Sequence, residues 1–276
     1  VLAIVQGVAE LLPVSSSAHV IMAEKLMGLD PSAPAMTLLL VMLHTGTMLA
    51  VIVYFWKSWR ERYFSSKYDF IHNAKQVIIA TAFTGVIGLA LMFFIEKVLM
   101  RGTGHSEIEH LFGNMYIISA GLAMAGILIL ISGTRRPPMG DRPMRGADSA
   151  WIGAVQGICL PFRGFSRSGS TISTGMLRGL DKVRVEEFSF ALAVVLTPPV
   201  IVKEAYRLYK SGGAQSFSGH YMTVLTPSLV GMVFSFLAGL VALRWLSRWL
   251  EHGRWYLFGI YCLVASAVVL AASQFL

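Results

Sequence analysis

Charge is what this chain lacks. Only 14% of its 276 residues are Asp, Glu, Lys or Arg, whereas 55% are hydrophobic with glycine left uncounted, and the mean hydropathy is +0.64. A soluble domain carries about 25% charged residues and about 45–50% apolar ones with glycine counted. That excludes a disordered chain, a coiled coil, a collagen and almost any soluble enzyme, and leaves a polytopic membrane protein. Cysteine is nearly absent. Cys159 and Cys262 both lie in apolar segments, so no disulfide is expected and no redox compartment can be read. No nucleotide-binding motif occurs. The net charge of +8 sits in short loops between apolar runs, where membrane topology places basic residues, so nucleic acid is not expected as a partner. No basic n-region or small-residue cleavage site marks a cleaved signal peptide. The chain opens on Val1 rather than Met, from which a few preceding residues are expected.

What is present is a series of long apolar runs. Residues 31–56, 76–95, 110–134, 211–243 and 255–276 contain no Asp, Glu, Lys or Arg. A transmembrane helix needs about 20 such residues. A shorter run, 188–202, contains Pro198 and Pro199 and is expected to form a further, kinked span. The expected fold is therefore an all-α polytopic membrane protein in one domain, 1–276, with six spans having cores at 37–56, 77–95, 115–132, 187–204, 224–243 and 255–275.

Two apolar segments are too short to span. Residues 1–12 lead into Pro13-Val14-Ser15-Ser16-Ser17, and 150–162 lead into Arg163-Gly164-Phe165-Ser166-Arg167-Ser168-Gly169. Each is an apolar half-helix, a break, and a Ser-rich restart. Irregular backbone at membrane depth survives only where protein buries it or it lines a cavity. Both are expected to be re-entrant helix–loop–helix hairpins, over 1–27 and 150–180. They also resemble each other: Ile4-Val5-Gln6-Gly7-Val8 aligns with Ala154-Val155-Gln156-Gly157-Ile158. Broken helices in corresponding halves point to a midplane site. Three expected spans separate the hairpins, an odd number, so the repeats, about 1–132 and 150–276, would be inverted and their tips could meet. Five Lys/Arg in loop 57–76 and four in 133–149, against two in 96–114, place the first two loops inside and the first hairpin's entry outside.

The hairpins carry the residues suited to chemistry. Gln6 and Glu10, four apart, share a helix face. Glu10 is the only acid among the first 23 residues. An intramembrane carboxylate points to function unless the hairpin lies at the interface and Glu10 faces water. Ser15, Ser16 and Ser17 follow at the break. His19, three residues past Ser16, shares its face if the helix restarts near Ser15, and His beside Ser and Glu suits acid–base or nucleophilic work. In the second hairpin, Arg167 lies among Ser166, Ser168, Gly169, Ser170 and Thr171. An Arg fork matches phosphate oxygens. A helix restarting at Ser168 would aim free N–H groups at an anion. Acid, imidazole, hydroxyls and guanidinium at one buried locus make up a kit for phosphoryl transfer.

These motifs resemble the bacterial undecaprenyl-diphosphate phosphatase family of the bacitracin-resistance type. The resemblance rests on Gln-x-x-x-Glu-x-x-Pro-Val-Ser-Ser-Ser-x-His at 6–19 and Gly-Phe-Ser-Arg-Ser-Gly-x-Thr at 164–171. It extends to His44-Thr45-Gly46-Thr47 and Glu187-Phe188-Ser189-Phe190. It implies a multi-pass enzyme of the bacterial inner membrane that removes the terminal phosphate of the C55 polyprenyl diphosphate and so recycles the carrier for cell-wall synthesis. Its substrate would be a polyprenyl diphosphate among membrane lipids, and its cofactor a divalent cation, Mg²⁺ or Ca²⁺. The resemblance implies catalytic roles for Glu10, Ser16, His19 and Arg167. It implies substrate contacts for Gln6, Ser15, Ser17, Ser166, Ser168, Gly169 and Thr171, and a metal contact for Glu10. Arg163-Gly164 stands where many members have Pro-Gly, and one extra residue separates Gln156 from Ser166 relative to the first motif. With Gln6 neutral, Glu10 is the only carboxylate of its motif, so a metal would lean on substrate phosphates.

Glu10 is then expected to hold the cation or to position His19, with Ser16, His19 or a water activated by His19 as the attacking group. A polyprenyl-phosphate flippase or anion transporter could use the same cradle; Glu10 with His19 favours the enzyme. His105, Glu107, Glu109 and His110 read as a solvated loop. Tyr54-Phe55-Trp56, Trp59, Trp245, Trp249, Trp255 and Tyr256 fit interfacial aromatic belts. Oligomeric state, a homodimer included, is not fixed by the sequence.

Overall fold

The computed structural model describes residues 1–29, 33–99, 114–134, 142–210 and 221–273. The loop with His105 and His110 lies outside the described residues. All regular structure among the described residues is helical. Helices α1 (Leu2–Leu11) and α2 (Ser16–Leu26) form a broken pair, followed by α3 (Pro34–Tyr63) and α4 (Lys67–Phe94), which runs on through a π turn at Ile95–Leu99. Then come α5 (Met115–Thr134), a second broken pair α6 (Gly146–Cys159) and α7 (Arg167–Leu177), and α8 (Lys182–Lys210), α9 (Tyr221–Glu251) and α10 (Tyr256–Ala272).

Among the described residues, five helices are long and apolar enough to cross a membrane, within α3, α4, α5, α8 and α9. The chain is a polytopic membrane protein. The run expected as a sixth span forms α10, 17 residues long, or about 25 Å at the α-helical rise. α8 passes through Pro198 and Pro199 as one helix. Ile78, Val86, Leu89 and Phe93 on α4 are all more than 60% exposed. A soluble surface rarely carries such a stripe, but it suits contact with lipid.

Small residues set the helix contacts. α5 and α10 run antiparallel: Ser119 and Ser266 each donate to the other's carbonyl, at 2.9 and 2.8 Å, and seven residues along, Gly126 faces Gly259. A Cβ on either glycine would lie 2.9 Å from the other's carbonyl oxygen. α1 packs on α9 and α6 on α4 in a matching way. A Cβ at Gly7 would lie 2.6 Å from the Ser235 carbonyl, and one at Gly157 would lie 2.8 Å from that of Thr84. Gly7 and Gly157 are equivalent positions in the two similar segments.

The two ends of the bundle separate. At one, Gln76 of α4 meets Ser149 of α6 (2.7 Å), and Arg62 of α3 pairs with Glu187 of α8 (3.2 Å). At the other, Leu2 of α1 clusters with Met36 of α3. The open end of the α6–α7 pair is stapled by Asp148, which accepts from both terminal nitrogens of Arg142 (2.7 and 3.0 Å), Arg178 Nε (3.0 Å) and Arg145 N (3.0 Å). Burial pushes this carboxyl up, but these donors outweigh it and hold it at about 2.

Part of the expected aromatic belt is core. Phe55, Trp59 and Trp255 are buried. Phe55 stacks with Trp59 and Phe190, and Trp59 Nε1 donates to the Glu187 carbonyl (3.3 Å). Trp255 Nε1 donates to Ser132 (3.0 Å) and Ser173 (3.2 Å). The three rings belong to one buried cluster between helices. Trp56 and Trp245 are exposed, as a belt requires. Cys159 and Cys262 carry no disulfide.

Candidate active site

The site forms where the two breaks meet. Proline biases its preceding residue away from helix, and Leu12, ahead of Pro13, is extended at φ −71°, ψ 151°. The chain turns at Ser15, the sole non-glycine residue with positive φ among those described (66°), and restarts as a helix at Ser16. The second break opens after Cys159, runs through Leu160-Pro161 and turns at Gly164, whose φ of +99° suits glycine. Its helix restarts at Arg167, one residue earlier than the spacing suggested, with Ser166 as N-cap accepting from Gly169 N at 3.3 Å.

Breaks expose carbonyls that must find donors away from water. Here other elements supply them. Ser168 Oγ donates to the Leu12 carbonyl (3.4 Å), Cys262 Sγ to that of Pro13 (3.2 Å), and His19 Nδ1 bonds the Ser15 carbonyl (2.8 Å). A Cβ on Gly169 would stand 3.2 Å from Pro13 Cβ, so the two tips touch.

Glu10 is the hub. Its Oε2 accepts from Ser16 Oγ at 2.6 Å and from Gln6 Nε2 at 3.3 Å, and its Oε1 accepts from Arg167 Nη2 at 3.4 Å. The Glu10–Arg167 pair is about one-fifth exposed and long, and such pairs contribute little to stability. Arg167 Nη1 is buried and has no hydrogen-bond partner among the described residues. The guanidinium thus keeps donor capacity for an incoming anion.

The structure joins Gln6, Glu10, Ser16 and Arg167. Ser15 Oγ reaches Ser17 Oγ (3.3 Å) at the tip, and Thr171 Oγ1 bonds the Arg167 carbonyl (2.8 Å) and Ser189 Oγ (2.6 Å), bracing the restarted helix. His19 differs from expectation. It does not hydrogen-bond Glu10; its Nε2 pairs with the Tyr261 hydroxyl at 2.6 Å. The Glu10 carboxylate takes Ser16 instead, because the helix restart aims that hydroxyl back at α1. His44, Thr45 and Thr47 bond carbonyls of their own helix, and Glu187 pairs with Arg62. Tyr261 belongs to no motif and lies 242 residues from its partner, so the sequence carried no sign of it.

No group of three or more His, Cys, Asp or Glu is placed to hold a metal among the described residues. Glu10 and the Gln6 amide oxygen are suitable hard donors. A divalent cation fits only if a bound phosphate supplies most of its remaining oxygens, as Mg²⁺ readily accepts.

Fold and site together define a class: a multi-pass membrane protein whose two helix breaks join a carboxylate, a serine and an arginine with spare donors. Residues 1–268 match the family described as Bacitracin resistance protein BacA, and the chain belongs to that family. It is 61% identical to undecaprenyl-diphosphatase 2 of Acinetobacter baylyi, over 98% of this chain and 95% of the relative. It is 32% identical to an undecaprenyl-diphosphatase of Desulfosudis oleivorans (98% and 96%) and 31% identical to one of Acidothermus cellulolyticus (99% and 94%).

Proposed function

We infer that this chain is an undecaprenyl-diphosphatase of the bacterial inner membrane, hydrolysing undecaprenyl diphosphate to the monophosphate and inorganic phosphate. The observation that carries the reading is the buried, unpartnered Arg167 Nη1 beside a Ser16–Glu10 hydrogen bond of 2.6 Å. α1–α2 and α6–α7 are re-entrant hairpins in two inverted repeats, and α10 is the sixth span. The like packing of Gly7 and Gly157 and the antiparallel α5–α10 contact support that arrangement. The relatives named above are diphosphatases, and none carries the name of a transporter.

The diphosphate enters between the tips with its prenyl tail in lipid. Arg167 leaves its weak pair with Glu10 and binds phosphate in a charge-assisted fork, joined by N–H groups of the first turn of α7. Glu10 takes the proton of Ser16 Oγ, which attacks the terminal phosphorus. The bond to the bridging oxygen breaks, and the lipid monophosphate departs. Water, giving its proton to His19 Nε2, then attacks the phosphorus; the Ser16 Oγ–P bond breaks, Ser16 Oγ recovers its proton from Glu10, and phosphate is released. A divalent cation, held by Glu10 and Gln6 with the substrate's oxygens, would spread the developing charge when bound.

The test is phosphate release by the purified protein in detergent, from a short polyprenyl diphosphate, with and without chelator. Micelles have no second compartment, so release means hydrolysis rather than transport. We expect Arg167→Ala to lose roughly 10²–10³-fold, as when one transition-state donor is removed. Wild-type rates in that variant would overturn the assignment. Full activity after chelation would remove the metal alone.

A further inference from the structure

His19 is held at both ring nitrogens. Nδ1 lies 2.8 Å from the Ser15 carbonyl, which can only accept. In a neutral imidazole the proton therefore sits on Nδ1 and Nε2 carries the lone pair. That lone pair faces the Tyr261 hydroxyl at 2.6 Å, and the rings stack at 5.7 Å with 17° between their planes. The phenol must then be the donor.

We propose that Tyr261 is a positioning residue for the phosphatase reaction, anchoring Nε2 of the Nδ1–H tautomer that the Ser15 carbonyl selects, and so holding the His19 ring in place as a proton acceptor and off Glu10. The proposal rests on His19 taking part in the reaction inferred above. A phenol suits the task because it both donates and accepts. If Nε2 gains a proton, the same oxygen can accept it without the ring turning. The division of labour follows from this: Glu10 stays free for Ser16, and His19 is a separate proton carrier. The bond is not needed to dock α10, which the Ser119–Ser266 and Gly126–Gly259 contacts already hold against α5. Nor does burial demand it, since Tyr261 is 46% exposed.

The experiment uses full-length protein in detergent with ¹⁵N-labelled histidine, and His19→Gln to identify the His19 signals. We expect the Nδ1–H form in both the wild type and Tyr261→Phe, which keeps the ring, with the Nε2 signal of the variant moved downfield because its lone pair has lost the phenol donor. In Tyr261→Phe, kcat should fall roughly five- to tenfold, the scale of one lost hydrogen bond, with KM nearly unchanged. Tyr261→Phe should add nothing in a His19→Gln background. An unchanged Nε2 signal, an unchanged kcat, or a further loss in that background would each overturn the proposal. Full activity in His19→Gln would also overturn it, while leaving the phosphatase reading to stand or fall with Arg167.

Discussion

At the scale of single residues, the Ser16–Glu10 bond separates the candidate nucleophiles. At 2.6 Å the Ser16 hydroxyl already points its proton at the carboxylate, whereas His19 is engaged with Ser15 and Tyr261. Ser16→Ala should remove the proposed attacking oxygen, and Glu10→Gln the base proposed to free it. Each should cost at least about 10²-fold in kcat, within the range of acid–base contributions. Because the two act as a unit, the double variant should be hardly worse than either alone. Single-turnover rates would measure this, and additive losses would mean that Ser16 and Glu10 serve different steps. Legibility was uneven at this scale. Gln6, Glu10, Ser16 and Arg167 are conspicuous because polar groups are costly in apolar segments. Tyr261 is not, since a tyrosine in an apolar helix resembles any interfacial ring.

Among the elements, the breaks were readable because proline, serine and glycine interrupt apolar runs. Helix ends were not: α3 continues to Tyr63 and α9 to Glu251, past the charge-free runs that end at Trp56 and Leu243. Charged residues there gain partners that local composition does not report, as Arg62 does in Glu187. The glycine contacts were legible only as small-residue stretches, with no partner specified. Gly157→Val would press a side chain onto the Thr84 carbonyl and Ile87, 2.8 and 2.9 Å from the first added carbon. We expect a loss of about 1–3 kcal/mol from overpacking, read by thermal unfolding in detergent. Gly85→Ala, which meets nothing within 4 Å, should be neutral or slightly stabilising. The Asp148 staple gives a pH signature. Its carboxyl lies at about 2 in the folded protein against an ordinary 3.8. Its stabilising effect is thus complete above pH 4 and is lost as pH falls towards 2. Asp148→Asn should lower Tm at neutral pH, and the gap from wild type should narrow across that window. A gap that stays constant to pH 2 would mean that the carboxylate's charge is not what staples the pair.

For the whole molecule, the decisive quantity is which ends share a face of the membrane. Apolar runs suggest six crossings, of which five are helices long and apolar enough among the described residues, and Lys/Arg bias suggests a direction. Neither could show that α1 would lie on α9 and α6 on α4, because that exchange depends on Gly7 and Gly157 fitting distant carbonyls. Contacts at one end join the ends of α3, α4, α6 and α8. If the first pair is re-entrant, Val1 and Met27 lie together on the opposite face, although 25 residues and two helices separate them. Both are exposed, so single cysteines there can be labelled. The background would be Cys159→Ser with Cys262→Ser, the latter keeping a donor for the Pro13 carbonyl. In intact cells, a membrane-impermeant maleimide should modify Val1→Cys and Met27→Cys. It should reach Ser65→Cys and His252→Cys only after permeabilisation, in keeping with basic loop 57–76 inside. If Val1→Cys and Met27→Cys label from different sides, α1 and α2 together cross the membrane once. The two tips would then approach from the wrong sides, and Glu10 and Arg167 could not meet at a shared depth with the second pair re-entrant.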